Sequence, residues 1–555
     1  MMFINLLAPF LNILLFDNVA ATEETVVVTI KSGKVLGKKL TTADLNVDFY
    51  AFQGIPYAQP PLGNLRFRPP IPVGQWSGIL NTTEDKPQCI QNLGDGSEDC
   101  LFINVFSPTV YSLERLPVFV WFFGGYFISG DSTRSSYGPD YFLEEGVVVV
   151  TFNYRLGVFG FLSTEDDVAP GNWALKDQIL ALKWIQENIE VFGGDPNSVT
   201  LAGESAGSVC ISYLLQCPLA KNLFHRAVLQ SGTSLNYLAL SRNPREIAFE
   251  IGRLFGIFTN DSKHLVNELR KIDEGMLQSF SFAKNLLKTL WDNPRNGISF
   301  SPNIEPASDT AVITNKSYGL WKKGEFMKVP LMIGFNSQES VTVLWVIGAA
   351  RGFLEVYDIS PELLIPVDFN LKTSDFFKRI AVATEIRLHY FGIVPLTLDI
   401  NHLLQFITDD QFVRGITETV RLASNFTTVY FYRFSYVGDL GLYPSQKRVH
   451  EGVGHTEELN YMWNRETNIK NPSQDDLTTR RRLVKLWTNF MKMSDPTPES
   501  DELLQDVQWI PSSPQNSTYL DIGKKLIIGN DLEKYSISWW KKLYKKYAIP
   551  PLDTY

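Results

Sequence analysis

The chain has 555 residues, 44% hydrophobic and 13% aromatic, enough to bury a large core. Its 60 acidic against 51 basic side chains leave a net charge of −9, and no stripe of basic and aromatic residues offsets it, which excludes nucleic acid as a partner. No repeat, low-complexity tract or Pro/Ser/Gly linker divides the chain, so one α/β domain is expected over 22–555.

In chain order, Met1 to Ala21 comes first: an apolar, nearly uncharged run from Phe3 to Phe16 that closes on Val19-Ala20-Ala21. This has the form of a secretory signal peptide with a small-residue cleavage site, although the usual basic residue at its start is missing. No later stretch stays apolar for the ~18 residues a membrane helix needs. The tail 548–555 carries neither a retention signal nor an anchor signal. A soluble, secreted, extracellular protein without a membrane anchor is therefore expected. Asn-x-Ser/Thr sequons at Asn81, Asn260, Asn315, Asn425 and Asn516 suit that route as glycosylation sites. Cys89 and Cys100 flank a short Gly/Asp/Ser-rich segment and would close a small loop in an oxidising compartment. Cys210 and Cys217 lie about two helical turns apart, too far to bridge, and are expected as buried thiols.

Thr25–Ile30 followed by Lys31-Ser32-Gly33 reads as a strand and a turn, and further short strand signals run to about Pro72. Pro117–Phe123 and Val147–Phe152 are continuous apolar runs, the pattern of strands buried on both faces of a parallel sheet. Trp173 to Val191 places Leu175, Ile179, Leu182, Trp184 and Ile185 on one helical face. Beyond about residue 235 helical patterns dominate, interrupted by strands at Val329–Ile333 and Val429–Phe434. The alternation points to a doubly wound α/β sheet.

Val199–Val209 is the stretch the rest serves: a short apolar run, then Gly203-Glu204-Ser205-Ala206-Gly207, then a segment that suits a helix to about Leu215. This G-x-S-x-G order reads as a nucleophile elbow, a strained strand-to-helix turn that holds Ser205 clear of the sheet. There the helix N-terminus and the Ala206 amide favour a developing oxyanion. A serine hydroxyl needs a base, and the base needs a carboxylate to hold it in one tautomer. In elbow-bearing sheets the chain order is serine, acid, histidine. His402, His450 and His455 compete; His455, in the glycine-punctuated loop Glu451–Leu459, is the best placed, with His450 next. Glu339 lies on the loop after Val329–Ile333, where an open α/β sheet builds its site, but with 60 acidic residues position alone does not single it out. Phe123-Gly124-Gly125-Tyr126-Phe127 has the glycines of a loop that turns backbone amides toward a substrate oxygen. No His-Glu-x-x-His, paired Cys-x-x-Cys or phosphate-cradling loop occurs, so neither metal nor organic cofactor is expected.

Over nearly its whole length the chain resembles the type-B carboxylesterase/cholinesterase family, on Phe52–Pro61, Leu65-Arg66-Phe67, Glu98–Val105, Asn153–Gly157, Gly171–Gln178, Phe192-Gly193-Gly194-Asp195-Pro196, the elbow, and Gln230-Ser231-Gly232. Its texture is similar to that of secreted insect carboxylesterases. The resemblance implies an α/β-hydrolase fold, a large, mostly parallel central sheet flanked by helices. It implies a catalytic triad of Ser205, Glu339 and His455, oxyanion amides of Gly125, Tyr126 and Ala206, and a Cys89–Cys100 disulfide. Ser231 matches a serine that sits near the triad. The implied activity is hydrolysis of small-molecule lipophilic esters, of odorant, pheromone or xenobiotic type.

The departures narrow that reading. Many relatives carry His-Gly-Gly-Gly where this chain has Phe123-Gly124-Gly125-Tyr126, so Tyr126 is expected to narrow the acyl side of the pocket or shift the loop. The usual Glu-Gly is Glu339-Ser340. The Cys89–Cys100 loop holds no tryptophan, which argues against a choline ester as substrate. Juvenile hormone esterases usually carry Gln in place of Glu204, which counts against that role. Two rivals stand beside a turning-over esterase: a scavenger that is acylated and deacylates slowly, and a non-catalytic binding protein on the same fold.

Overall fold

The computed structural model describes residues 24–291, 299–343, 351–441, 450–532 and 534–555; the expected signal peptide, 1–21, lies outside them. Thirteen strands form one sheet: β1 (Thr25–Ile30), β2 (Gly33–Thr41), β3 (Asp48–Pro56), β4 (Ile79–Asn81), β5 (Phe102–Ser107), β6 (Leu116–Phe122), β7 (Val148–Phe152), β8 (Gly194–Glu204), β9 (Arg226–Gln230), β10 (Leu331–Asn336), β11 (Val429–Phe434), β12 (Thr518–Ile522) and β13 (Leu526–Asn530). Their order is β1-β2-β3-β5-β7-β6-β8-β9-β10-β11-β12-β13, with β4 beside β2. From β7 to β12 every neighbouring pair is parallel, and antiparallel strands close both edges. All five residues of β7 and all six of β10 are buried, as uninterrupted apolar strands covered on both faces must be.

Parallel neighbours need crossovers, and the crossovers bring the helices. Helix Trp173–Asn188 leads from β7 to β8, and helix Ala206–Leu214 from β8 toward β9. The expected windows therefore recur as β1, β6, β7, β8, β10, β11 and these two helices: β1 and β11 match end for end, β8 begins five residues before Val199, and the other ends move by at most three residues. One strand lies outside the expected windows. The next strand after the elbow is β9, the short Arg226–Gln230, which follows well before Val329 and lies in the sheet between β8 and β10.

That insertion aligns the site. In the sheet register Phe122 pairs with Gly203, Glu204 with Gln230, and Gln230 with Gly334. The residues that follow β6, β8, β9 and β10 thus leave the sheet side by side at its carboxyl edge, the side on which open α/β sheets bind ligands. Several motif residues outside that edge form buried ion pairs instead. Arg155 grips Asp177 through Nε at 2.8 Å and Nη2 at 2.6 Å, and Arg66 grips Glu98 the same way. Cys89 and Cys100 are bonded, and Cys210 and Cys217 are buried thiols. Among the described residues no helix is long and apolar enough to cross a membrane.

Candidate active site

Ser205 follows β8 with φ 55° and ψ −123°, the strained conformation of an elbow. Its amide donates to the Gln230 carbonyl of β9 at 2.8 Å. Close packing explains the glycines: a Cβ on Gly207 would stand 2.1 Å from the Phe122 carbonyl, and one on Gly124 would stand 3.0 Å from Ser205 Cβ. Ala206 is the first residue of the helix that follows, so its amide has no intrahelical acceptor.

Glu339 and His455 come together beside the elbow. His455 Nδ1 lies 2.7 Å from Glu339 Oε2, and the His455 amide donates to the Glu339 carbonyl at 3.0 Å. The other carboxylate oxygen, Oε1, accepts from Ser231 Oγ at 2.6 Å and from the Asn336 amide at 2.7 Å. Glu339 is thereby fixed at both oxygens, and it is fully buried. Phe412 packs against the imidazole with ring centroids 4.8 Å apart. The two competing histidines lie elsewhere: His402 pairs with Asp399 and His450 with Asn401, both exposed.

The structure adds two acids that sequence reasoning did not assign to the site. Glu204 Oε1 lies 2.9 Å from His455 Nε2, an ion-pair distance. Glu458 accepts from Gln230 Nε2 at 3.1 Å and from Asn336 Nδ2 at 2.5 Å. Burial, reinforced by the charge of Glu204, pushes the Glu458 carboxyl up to about 8. Burial alone would depress the His455 imidazole. The carboxylates of Glu204 and Glu339 override it, and the ring is held well above its usual value. Both acids sit next to motif residues: Glu204 at the variable position of G-x-S-x-G, and Glu458 three residues after His455.

The loop after β6 faces Ser205. Gly125, Tyr126 and Phe127 have φ values of 112°, 56° and 62°. For the two non-glycine residues this costs about 1–3 kcal/mol each, a strain typical of functional loops. Among the described residues the amides of Gly125 and Tyr126 have no acceptor, and with Ala206 they make three free donors on the elbow and the loop that faces it. An arrangement of hydroxyl, imidazole, carboxylate and free amides is equipped for acyl transfer.

Comparison with known proteins agrees. The model of the carboxylesterase family matches residues 24–540. Carboxylesterase 1D of Mus musculus is 33% identical over 548 residues, covering 94% of this chain and 93% of that protein. Juvenile hormone esterase of Tribolium castaneum is 32% identical over 580 residues, covering 95% of each. Esterase FE4 of Myzus persicae is 33% identical over 525 residues, covering 91% and 90%. Among solved structures, juvenile hormone esterase from Manduca sexta with OTFP covalently attached superposes with a TM-score of 0.84 at 27% identity, covering 94% of this chain and all of that one. With its sheet, its elbow and these relatives in accord, the chain belongs to the carboxylesterase family and is a carboxylic ester hydrolase.

Proposed function

We propose that the protein is a secreted serine carboxylesterase, one catalytic domain over 22–555, that hydrolyses lipophilic esters of odorant, pheromone or xenobiotic type through an acyl-enzyme on Ser205. The observation that carries the reading is the convergence of Ser205, in elbow conformation, with a His455 whose Nδ1 is held 2.7 Å from a doubly anchored Glu339. On this mechanism His455 Nε2 turns from Glu204 to Ser205 as substrate enters and takes the hydroxyl proton while Oγ attacks the ester carbonyl. The amides of Gly125, Tyr126 and Ala206 receive the oxyanion. The alcohol leaves with the proton from His455, and water repeats the sequence to release the acid. A covalent adduct in the Manduca sexta relative supports a covalent route here. All five sequon asparagines are exposed, which suits glycosylation in a secretory compartment. The aromatic content, 13%, suits a lipophilic substrate.

The test uses short-chain 1-naphthyl and p-nitrophenyl esters with the purified wild type and Ser205→Ala, alongside fluorophosphonate labelling. Turnover and label are expected in the wild type and neither in the variant. Label without turnover would favour the scavenger, and turnover by Ser205→Ala would remove Ser205 from the mechanism.

A further inference from the structure

Apolar side chains exposed one at a time are ordinary on a protein surface; a row of them along one helix is not. Helix Phe376–Tyr390 buries Val382, Ala383, Ile386 and Tyr390 on its inner side. On the opposite side Phe377, Ile380, Thr384 and Leu388 follow at helical spacing, all exposed and with no charge among them. Phe377 is 85% exposed and Leu388 57%, and Ile393 in the segment that follows is 93% exposed. The charges flanking this row, Arg379 and Arg387, are tied to Glu362 and Asp358, each at 3.3 Å. The C-terminal helix Lys534–Tyr547 lies alongside. Lys546 Nζ and Tyr547 Oη each reach Glu385 at 2.6 Å, His389 stacks on Trp539 at 3.9 Å, and Trp540 Nε1 donates to Tyr390 Oη at 2.8 Å. The two helices therefore share one core, and their outer sides turn outward together. The outer row of the C-terminal helix is Tyr535, Ser538, Lys542 and Lys545, all exposed, with Tyr535 at 90%. Among the described residues neither lysine has an acid within ion-pair distance.

Two uncompensated lysines beside a row of aromatic and aliphatic side chains are the two parts of an interfacial surface: apolar groups that gain by leaving water, and cations that gain by meeting anionic head groups. The whole chain carries a net charge of −9, so an anionic surface repels most of the molecule and attracts this patch, which fixes the orientation of approach. A second copy is a poorer occupant, since a two-fold contact on this face brings the unpaired lysines of both copies into it. We propose that this face docks the protein on an anionic lipid surface, the row from Phe377 to Leu388 entering the acyl boundary and Lys542 and Lys545 meeting the lipid phosphates. Docking adds to the proposed esterase a partner in which lipophilic esters dissolve, and it stands or falls independently of Ser205.

The experiment mixes the purified full chain with vesicles of phosphatidylcholine, or of an equal mixture of phosphatidylcholine and phosphatidylglycerol, and reads bound protein by flotation. The wild type is expected to bind the anionic vesicles at least about tenfold more tightly than the neutral ones, with the difference shrinking as salt is raised. Two double variants, Phe377→Ser/Ile380→Ser and Lys542→Glu/Lys545→Glu, should each weaken that binding by about tenfold or more. All four side chains are exposed, and unfolding transitions matching the wild type show that the variants are folded. No binding to anionic vesicles, equal binding to neutral ones, or binding that either folded double variant leaves intact overturns the proposal. So does dimerisation, seen by light scattering and lost in Phe377→Ser/Ile380→Ser, without vesicle binding, which would give the face to a second copy instead.

Discussion

His455 lies between two carboxylates, Glu339 on Nδ1 at 2.7 Å and Glu204 on Nε2 at 2.9 Å, and both favour its charged form. A general base must be neutral, so a raised imidazole pKa moves the acid limb of kcat/KM upward, above the ordinary histidine range. Replacing Glu204 by Gln removes one anion and lowers that pKa. The expected outcome is an acid limb displaced to lower pH in Glu204→Gln, read from a pH–rate profile. Glu339→Gln has a different effect: the isosteric amide no longer fixes the tautomer, and kcat should fall by about 10³–10⁴-fold with KM nearly unchanged. Glu458 bears on stability. Its carboxyl is pushed up to about 8 by burial, so the fold favours its neutral form, and the associated stability is present below the unfolded pKa and lost as pH rises toward 8. Glu458→Gln should therefore melt no lower than wild type at neutral pH and higher above pH 8.

The elements hold these side chains by close approach of backbones. Gly207, the second residue of the elbow helix, lies against the end of β6, and a methyl group there would collide with the Phe122 and Phe123 carbonyls at 2.1 and 2.6 Å. The histidine loop is anchored on its far side. Trp463 is fully buried, stacked on Phe119 of β6 at 5.6 Å and packed against Trp121 at 5.0 Å. The disulfide closes an 11-residue separation in the segment leading into β5. In the chain-entropy picture a loop of that size contributes about 3 kcal/mol. The Cys89→Ser/Cys100→Ser double variant should show a lower midpoint in denaturant with esterase activity retained in the folded fraction.

For the whole molecule, Arg414 joins the segment after β10 to the C-terminal helix Lys534–Tyr547. It is fully buried, 3.2 Å from both Asp368 and Asp410, and hydrogen-bonded to Tyr544. Arg414→Met takes away the cation these carboxylates share, at a cost of about 3–5 kcal/mol, and calorimetry should record a lower Tm that Asp368→Asn partly restores. None of this was legible in the sequence, and the division has a physical basis. Features that one short segment must satisfy alone were readable in one dimension: an elbow needs glycines beside its serine, a doubly covered strand needs an unbroken apolar run, and a loop presenting amides needs Gly124-Gly125. Glu339 stood out among 60 acids only through resemblance to a family, because a carboxylate's role depends on what surrounds it. The short strand β9 carries too little apolar pattern to announce itself, yet it brings Ser231 to Glu339 across 108 positions. Glu204 and Glu458 acquired their bearing on His455 only when strands β8, β9 and β10 lay side by side. Local chain geometry is written in local sequence; electrostatic environment is the sum of groups that only the folded sheet brings together.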